Sequence, residues 1–227
     1  MKSYTKDKLI EKLKESQERE RRLKRSLKQA LIEHDTSLCI DFKSFDHELQ
    51  TSDHVLDAIA RAEYELSLNV TEPGLGGNSD RITTYIKSVD ALGWTWEKDY
   101  KKNGEFSWCG AFAAMCFTKV QFKIRQKIFP SCYRLYTNFN NTSRRVSDVR
   151  PGDIVTVFTS KDKTPTYGNH IVLPMSLPNA DGEFDTIEGN AKGYGPDGEW
   201  REGVSKRTRN IKDVACIYRL QEGDFDE

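Results

Sequence analysis

Three short segments, far apart in the chain, carry the residue types of thiol catalysis. The first is Phe106-Ser107-Trp108-Cys109-Gly110-Ala111-Phe112-Ala113-Ala114-Met115-Cys116-Phe117. A polar, glycine-containing stretch runs into it, and the residues after Cys109 are small and apolar. Phe112, Cys116 and Val120 fall on one helical stripe, with Met115 and Lys119 beside it. The pattern predicts a loop ending at Cys109 and a buried helix starting there. A thiol at a helix N-terminus meets free N–H groups and the positive end of the dipole, which favour the nucleophilic thiolate. The second segment is His170, which opens an apolar, β-branched run. The third holds Glu188 and Asn190, two apart on a predicted strand and therefore on one side of it. If the last two strands are antiparallel neighbours, the acid or the amide can bond one imidazole nitrogen while the other faces the thiol, as nucleophile, base and orienter. His170 would then deprotonate Cys109 and protonate the leaving amine. The Cys109 N–H would be the first oxyanion donor. Each residue alone has a plainer explanation: a core cysteine, a strand-edge histidine, a surface carboxylate, a turn asparagine. His34 and His47 sit in polar segments and His54 at a charged helix start, so His170 stands apart among the histidines.

Composition bounds the rest. The 227 residues, 37% hydrophobic, suffice for one core and an appendage. No apolar run approaches the roughly 20 residues that span a bilayer, so no integral membrane segment is expected. The first residues lack the apolar core of a secretory signal. Lys+Arg and Asp+Glu both total 35, so net charge points to no partner class. A basic cluster at Arg21-Arg22 and Lys24-Arg25 has no interleaved aromatics, and no nucleic acid is expected as a partner. Five cysteines without a C-x-x-C argue against a zinc site or a disulfide framework and for free thiols. No metal and no cofactor is expected, since no D-x-D-x-D run suggests a calcium loop.

The elements that must position these groups read as α+β. Residues 5–34 lack Gly and Pro and form a helix by propensity. Their heptad seam (Leu13, Leu23, Leu27, Ala30) is broken by Ser16 and Glu20, which leaves a solvated helix and a self-associating or partner-binding one equally open. With a mixed linker it makes an extension over 1–50; the main domain is 51–227. There Asp53–Leu66 is a core helix with Val55, Leu56, Ile59, Ala62, Tyr64 and Leu66 as its apolar face. Thr71–Ser79 is a loop. A second helix carries Ile82, Tyr85, Ile86 and Val89 and ends at Gly93. Trp94 and Trp96 belong to the core or rim, or line a groove for substrate. Residues 121–141 read as polar and irregular, broken by Pro130, with Tyr133, Leu135, Tyr136 and Phe139 packing on the sheet or bordering the cleft. Strands are expected at Ile154–Phe158, His170–Met175 (ended or kinked by Pro174), Phe184–Asn190, Val204–Arg209 and Val214–Leu220, with Gly193–Gly203 as a loop. Short turns between them imply an antiparallel sheet.

The strings WCGAF (108–112), RPGDIV (150–155), GNHIVLP (168–174) and TIEGN (186–190), in this order and spacing, resemble the CHAP amidases of the NlpC/P60 superfamily, the cysteine, histidine-dependent amidohydrolases/peptidases. The resemblance covers about residues 53–220. It implies a papain-like α+β fold and hydrolysis of an amide bond in bacterial peptidoglycan, either within the stem peptide or between peptide and sugar. It casts Cys109 as nucleophile, His170 as base, and Glu188 with Asn190 as the pair that orients the histidine; Trp108, Trp94, Trp96 and Asn169 become candidates for contact with substrate. Asn169 stands where the family usually has Gly or Ser, and Pro174 where many members carry Gly. The N-terminal helix lies outside the family pattern and no wall-binding repeat is visible, so targeting falls to that helix or a partner protein. Without a signal peptide, the expected route to the wall is phage or holin release, or injection. Two other accounts remain open: a thiol peptidase or amidase with a non-wall substrate, and a non-enzymatic component that uses residues 5–34 as an adaptor.

Overall fold

A computed structural model describes residues 53–72, 80–89 and 107–226, all within the compact unit Thr51–Glu227. The expected helix at 5–34, the linker, most of the loop before Ser79, and Trp94 and Trp96 lie outside the described residues. Five helices are described: α1 (Asp53–Ser67), α2 (Asp80–Ser88), α3 (Cys109–Cys116), α4 (Phe122–Lys127) and α5 (Cys132–Phe139). Six strands come after them: β1 (Arg145–Val146), β2 (Ile154–Val157), β3 (His170–Pro174), β4 (Glu183–Tyr194), β5 (Trp200–Asn210) and β6 (Val214–Tyr218). They form one sheet in the order β1-β6-β2-β3-β4-β5, with every neighbour antiparallel. Helices before strands, on an antiparallel sheet, make an α+β domain. Among the described residues no helix is long and apolar enough to cross a membrane.

The centre is α3. Seven of its eight residues are buried, because Gly, Ala and Cys leave little side chain between its backbone and its neighbours. It packs on α1 and α2 on one side and on β3 and β4 on the other. The expected stripe through Val120 stops early: α3 ends at Cys116, and Val120 forms a bridge with Phe225. Two glycines permit the close approach. A Cβ on Gly110 would lie 2.5 Å from the Phe129 carbonyl oxygen, and one on Gly189 would lie 2.4 Å from Phe112 Cβ and 2.6 Å from Trp108 Cζ3. The two glycines thus set the seat of α3 against the chain before α5 and against β4.

The remaining departures have local causes. On α1, Ala58 and Ala62 are buried while Leu56 and Tyr64 face solvent. The buried stripe continues through Glu65, whose carboxylate accepts from Tyr85 Oη at 2.7 Å and from Arg81 Nε and Nη2, so a charge occupies a position that apolar counting gives to Tyr64. Helix α2 stops at Ser88 with Val89 in a turn, short of Gly93. Residues 121–141, read as irregular, hold α4 and α5. Ser131 accepts from the Arg134 N–H at 3.4 Å as cap of α5, and Leu135 and Phe139, four apart, anchor it in the core. Strands β4 and β5 run through most of the segment expected as a loop, which shrinks to a turn closed by Gly195 N–H to the Glu199 carbonyl at 2.9 Å. Strand β3 does end at Pro174, opposite Thr186.

Gly189→Ala should overpack the α3–β4 contact by about 2 kcal/mol and lower the midpoint of thermal unfolding by roughly 4–8 °C for a domain of this size, as measured by calorimetry. A midpoint within a degree of the parent would contradict the close-approach account.

Candidate active site

Cys109 is the first residue of α3, with Trp108 at the cap position and no side chain capping the end. Its sulfur therefore sits at the positive end of a helix whose first N–H groups lack intrahelical partners. His170 is the first residue of β3, paired opposite Val157. Glu188 lies on β4, beyond the β3–β4 ladder pairs Leu173–Ile187 and Pro174–Thr186. The fold brings all three together. His170 Nε2 is 3.0 Å from Glu188 Oε2, and the ring interacts with the Cys109 sulfur. Ser107 Oγ is 3.6 Å from that sulfur.

Glu188 is fully buried, and a buried carboxylate needs compensation. Thr186 Oγ1 donates to Oε1 at 2.6 Å. Arg209 straddles the group: Nε donates to Oε1 at 2.7 Å and Nη2 to Oε2 at 2.5 Å. This is a two-pronged, charge-assisted contact of the stronger kind. Neither Thr186 nor Arg209 is found by reading for nucleophile and base. The only signals for them in the sequence are Thr186 two residues before Glu188, on the same side of the strand, and a basic run on the adjacent strand.

The electrostatics follow from burial and charge. Burial pushes the Glu188 carboxyl up, but the Arg209 fork and the His170 ring outweigh it and bring it down to about 2. Burial pushes His170 down, and the Cys109 charge and Glu188 more than reverse this, to about 9. Burial pushes the Cys109 thiol up, and the His170 ring overcomes it to bring the thiol to about 7. Burial instead drives Cys116 well up, with the Glu65 charge adding to it, and pushes Cys132 up too. The thiol beside the imidazole is thus set apart from these two by its surroundings.

Five of the residues considered for the site fall elsewhere or lie outside the described residues. Asn190 does not orient the histidine. It has a left-handed φ of 57°, at an irregularity in the β4–β5 register between Glu188 and Ala191, and its amide turns to the chain just before Cys109. Its Oδ1 accepts from the Trp108 N–H at 3.1 Å and its Nδ2 donates to Glu72 Oε1 at 3.2 Å. Trp108 is fully buried, stacked on Tyr85 with ring centroids 5.7 Å apart and bonded through Nε1 to Glu72. It is a core residue, because the small residues of α3 leave room for an indole. Glu72, missed in the sequence, therefore links Trp108 to Asn190 and steadies the approach to Cys109. Asn169 is exposed, and its Oδ1 accepts from Thr159 N–H and Oγ1 at 2.9 and 3.0 Å. It closes the β2–β3 connection. Trp94 and Trp96 lie outside the described residues. Among the described residues no group of His, Cys, Asp and Glu is arranged to hold a metal ion.

No family model, no curated protein and no solved structure matches this chain.

The Glu188–Arg209 pair predicts a coupled stability change. Either single variant, Glu188→Gln or Arg209→Met, leaves one charge buried and should cost about 3–5 kcal/mol in urea unfolding. The double variant should be more stable than the sum of the two losses by at least about 1 kcal/mol. Additive losses would show that the two side chains do not hold each other.

Proposed function

We propose that this chain is a thiol-dependent amide hydrolase of papain-like, CHAP type, acting on an amide bond of bacterial peptidoglycan. One observation carries the reading: a buried carboxylate, clamped by Arg209 and Thr186, holds the His170 ring next to a thiol at a helix N-terminus. The likeness of WCGAF, RPGDIV, GNHIVLP and TIEGN to the CHAP amidases supports the substrate class.

Bound to Glu188 through Nε2, the ring has its other nitrogen for the sulfur. Cys109 as thiolate attacks the amide carbonyl carbon, a C–S bond forms, and negative charge gathers on the carbonyl oxygen near the Cys109 N–H. The imidazolium gives its proton to the departing nitrogen as the C–N bond breaks. Neutral His170 then takes a proton from water, whose oxygen attacks the thioester carbonyl. The C–S bond breaks, and the carboxylic acid leaves with thiolate and imidazolium restored. Glu188 stays ionised throughout and stabilises the imidazolium, as the acid of a triad does. Glu72 and Asn190 fix the backbone at Trp108, so the attacking atom enters in a set position.

Activity therefore needs a thiolate and an imidazolium at once. Hydrolysis should follow a bell between about 7, below which the thiol regains its proton, and about 9, above which the imidazolium loses its own. The test is digestion of purified sacculi, with soluble muropeptides identified by mass spectrometry. Cys109→Ala should release nothing, and His170→Ala should lose on the order of 10³-fold or more of the rate. Equal release by Cys109→Ala would overturn the thiol mechanism. Turnover of ordinary peptides without any release from sacculi would overturn the wall substrate and leave the mechanism standing.

A further inference from the structure

Three tyrosines meet on the two segments that lead to this site and take no part in the chemistry above. Tyr133 and Tyr136 are on α5, and Tyr167 is in the β2–β3 connection. Their ring centroids lie 5.5 Å (Tyr133–Tyr167) and 5.8 Å (Tyr136–Tyr167) apart. Both supports of the cluster lead to the reacting groups. Tyr167 is three residues before His170, on a connection held by the Asn169–Thr159 hydrogen bonds. Tyr133 comes directly after Cys132, whose thiol feels the charge of Cys109, and the chain just before α5 lies against Gly110. Tyr136 and Cys132 pack on the main core, so the base of the cluster is fixed. Tyr133 at its outer end is 57% exposed, more than joining α5 to the connection requires. One open aromatic ring backed by two half-buried ones fits a ligand with a flat, weakly polar face.

We infer that Tyr133, Tyr136 and Tyr167 form one wall of a substrate subsite that takes a pyranose ring of the glycan strand. The inference rests on the peptidoglycan reading for the identity of the sugar. A pyranose presents C–H groups on its faces and hydroxyls around its edge. A phenol offers the complement, an electron-rich face and a hydroxyl at the rim, and orders little side-chain freedom when it binds. Seated beside Cys109 and His170, such a ring lies next to the scissile carbonyl. In peptidoglycan that neighbourhood exists at the amide joining the sugar's lactyl group to the first residue of the stem peptide. The subsite thus selects that bond over amides further along the peptide.

The experiment measures binding apart from turnover. Full-length Cys109→Ala protein is titrated by calorimetry with an N-acetylglucosaminyl-N-acetylmuramyl peptide and, separately, with the same stem peptide lacking sugar. The glycosylated ligand should bind more tightly. Tyr133→Ala in the same background should remove up to about tenfold of that advantage, and Tyr133→Trp should retain it. A thermal midpoint within a few degrees of the parent excludes unfolding. Equal affinity for the two ligands, or a loss from Tyr133→Ala that is the same for both, overturns the inference. Sugar-dependent binding by a protein whose wild type hydrolyses neither ligand would instead sink the hydrolase reading and leave the subsite in place.

Discussion

A carboxylate cut off from water must be held by charge and hydrogen bonds, and the domain is arranged around meeting that demand at Glu188. Four donors converge on its two oxygens, from His170, Thr186 and the two arms of the Arg209 fork. Desolvating such an ion costs several kcal/mol, and the return depends on good geometry. That constraint explains the length and register of the β4–β5 hairpin, which brings Thr186 and Arg209 to the acid, and the place of β3 beside β4, which brings His170. The Cys109 charge and the ionised Glu188 together make a nearly buried imidazole basic instead of neutral, and that imidazole makes the thiol opposite acidic. The chain therefore converts a stability problem into a proton acceptor.

A second, separate set of contacts positions the sulfur. Gly110 and Gly189 allow α3 to sit where a Cβ would forbid it. Glu72 joins the Trp108 indole to the Asn190 amide, and Asn190 in turn holds the Trp108 N–H. The two halves of the E-G-N string thus do different jobs. Glu188 acts on the histidine, and Asn190, turned by its left-handed backbone, acts on the Trp108 backbone that leads into Cys109. Alternation along a strand puts residues two apart on one side, but a register irregularity between them breaks that rule.

Much of this is visible in the residues. The thiol at a helix start, the histidine opening a strand and the acid on the next strand can be read from local patterns, because each depends on neighbours in sequence. The α+β class comes from helices preceding short-turn strands. The features that escape depend on partners far away. Arg209 is one cation in a basic strand until the hairpin closes on Glu188. Glu72 is a loop acid until Trp108 packs beside it. The helix α5 is hidden by Pro130 and polar composition, although Ser131 and the Leu135–Phe139 spacing mark it. Glu65 on a core stripe and Tyr64 on the surface invert hydropathy, since Arg81 and Tyr85 supply what a buried carboxylate needs.

The central claim is that His170 and Cys109 share a proton across one contact. The most direct measurement is the rate of Cys109 alkylation by iodoacetamide against pH, located by mass spectrometry, in wild type and in His170→Ala. The wild-type rate should rise with a midpoint at about 7. The variant, with the imidazole gone and the thiol still buried, should move to the ordinary thiol range near 9 or above. The same midpoint in both proteins would show that the ring does not act on the sulfur, and the account would fail.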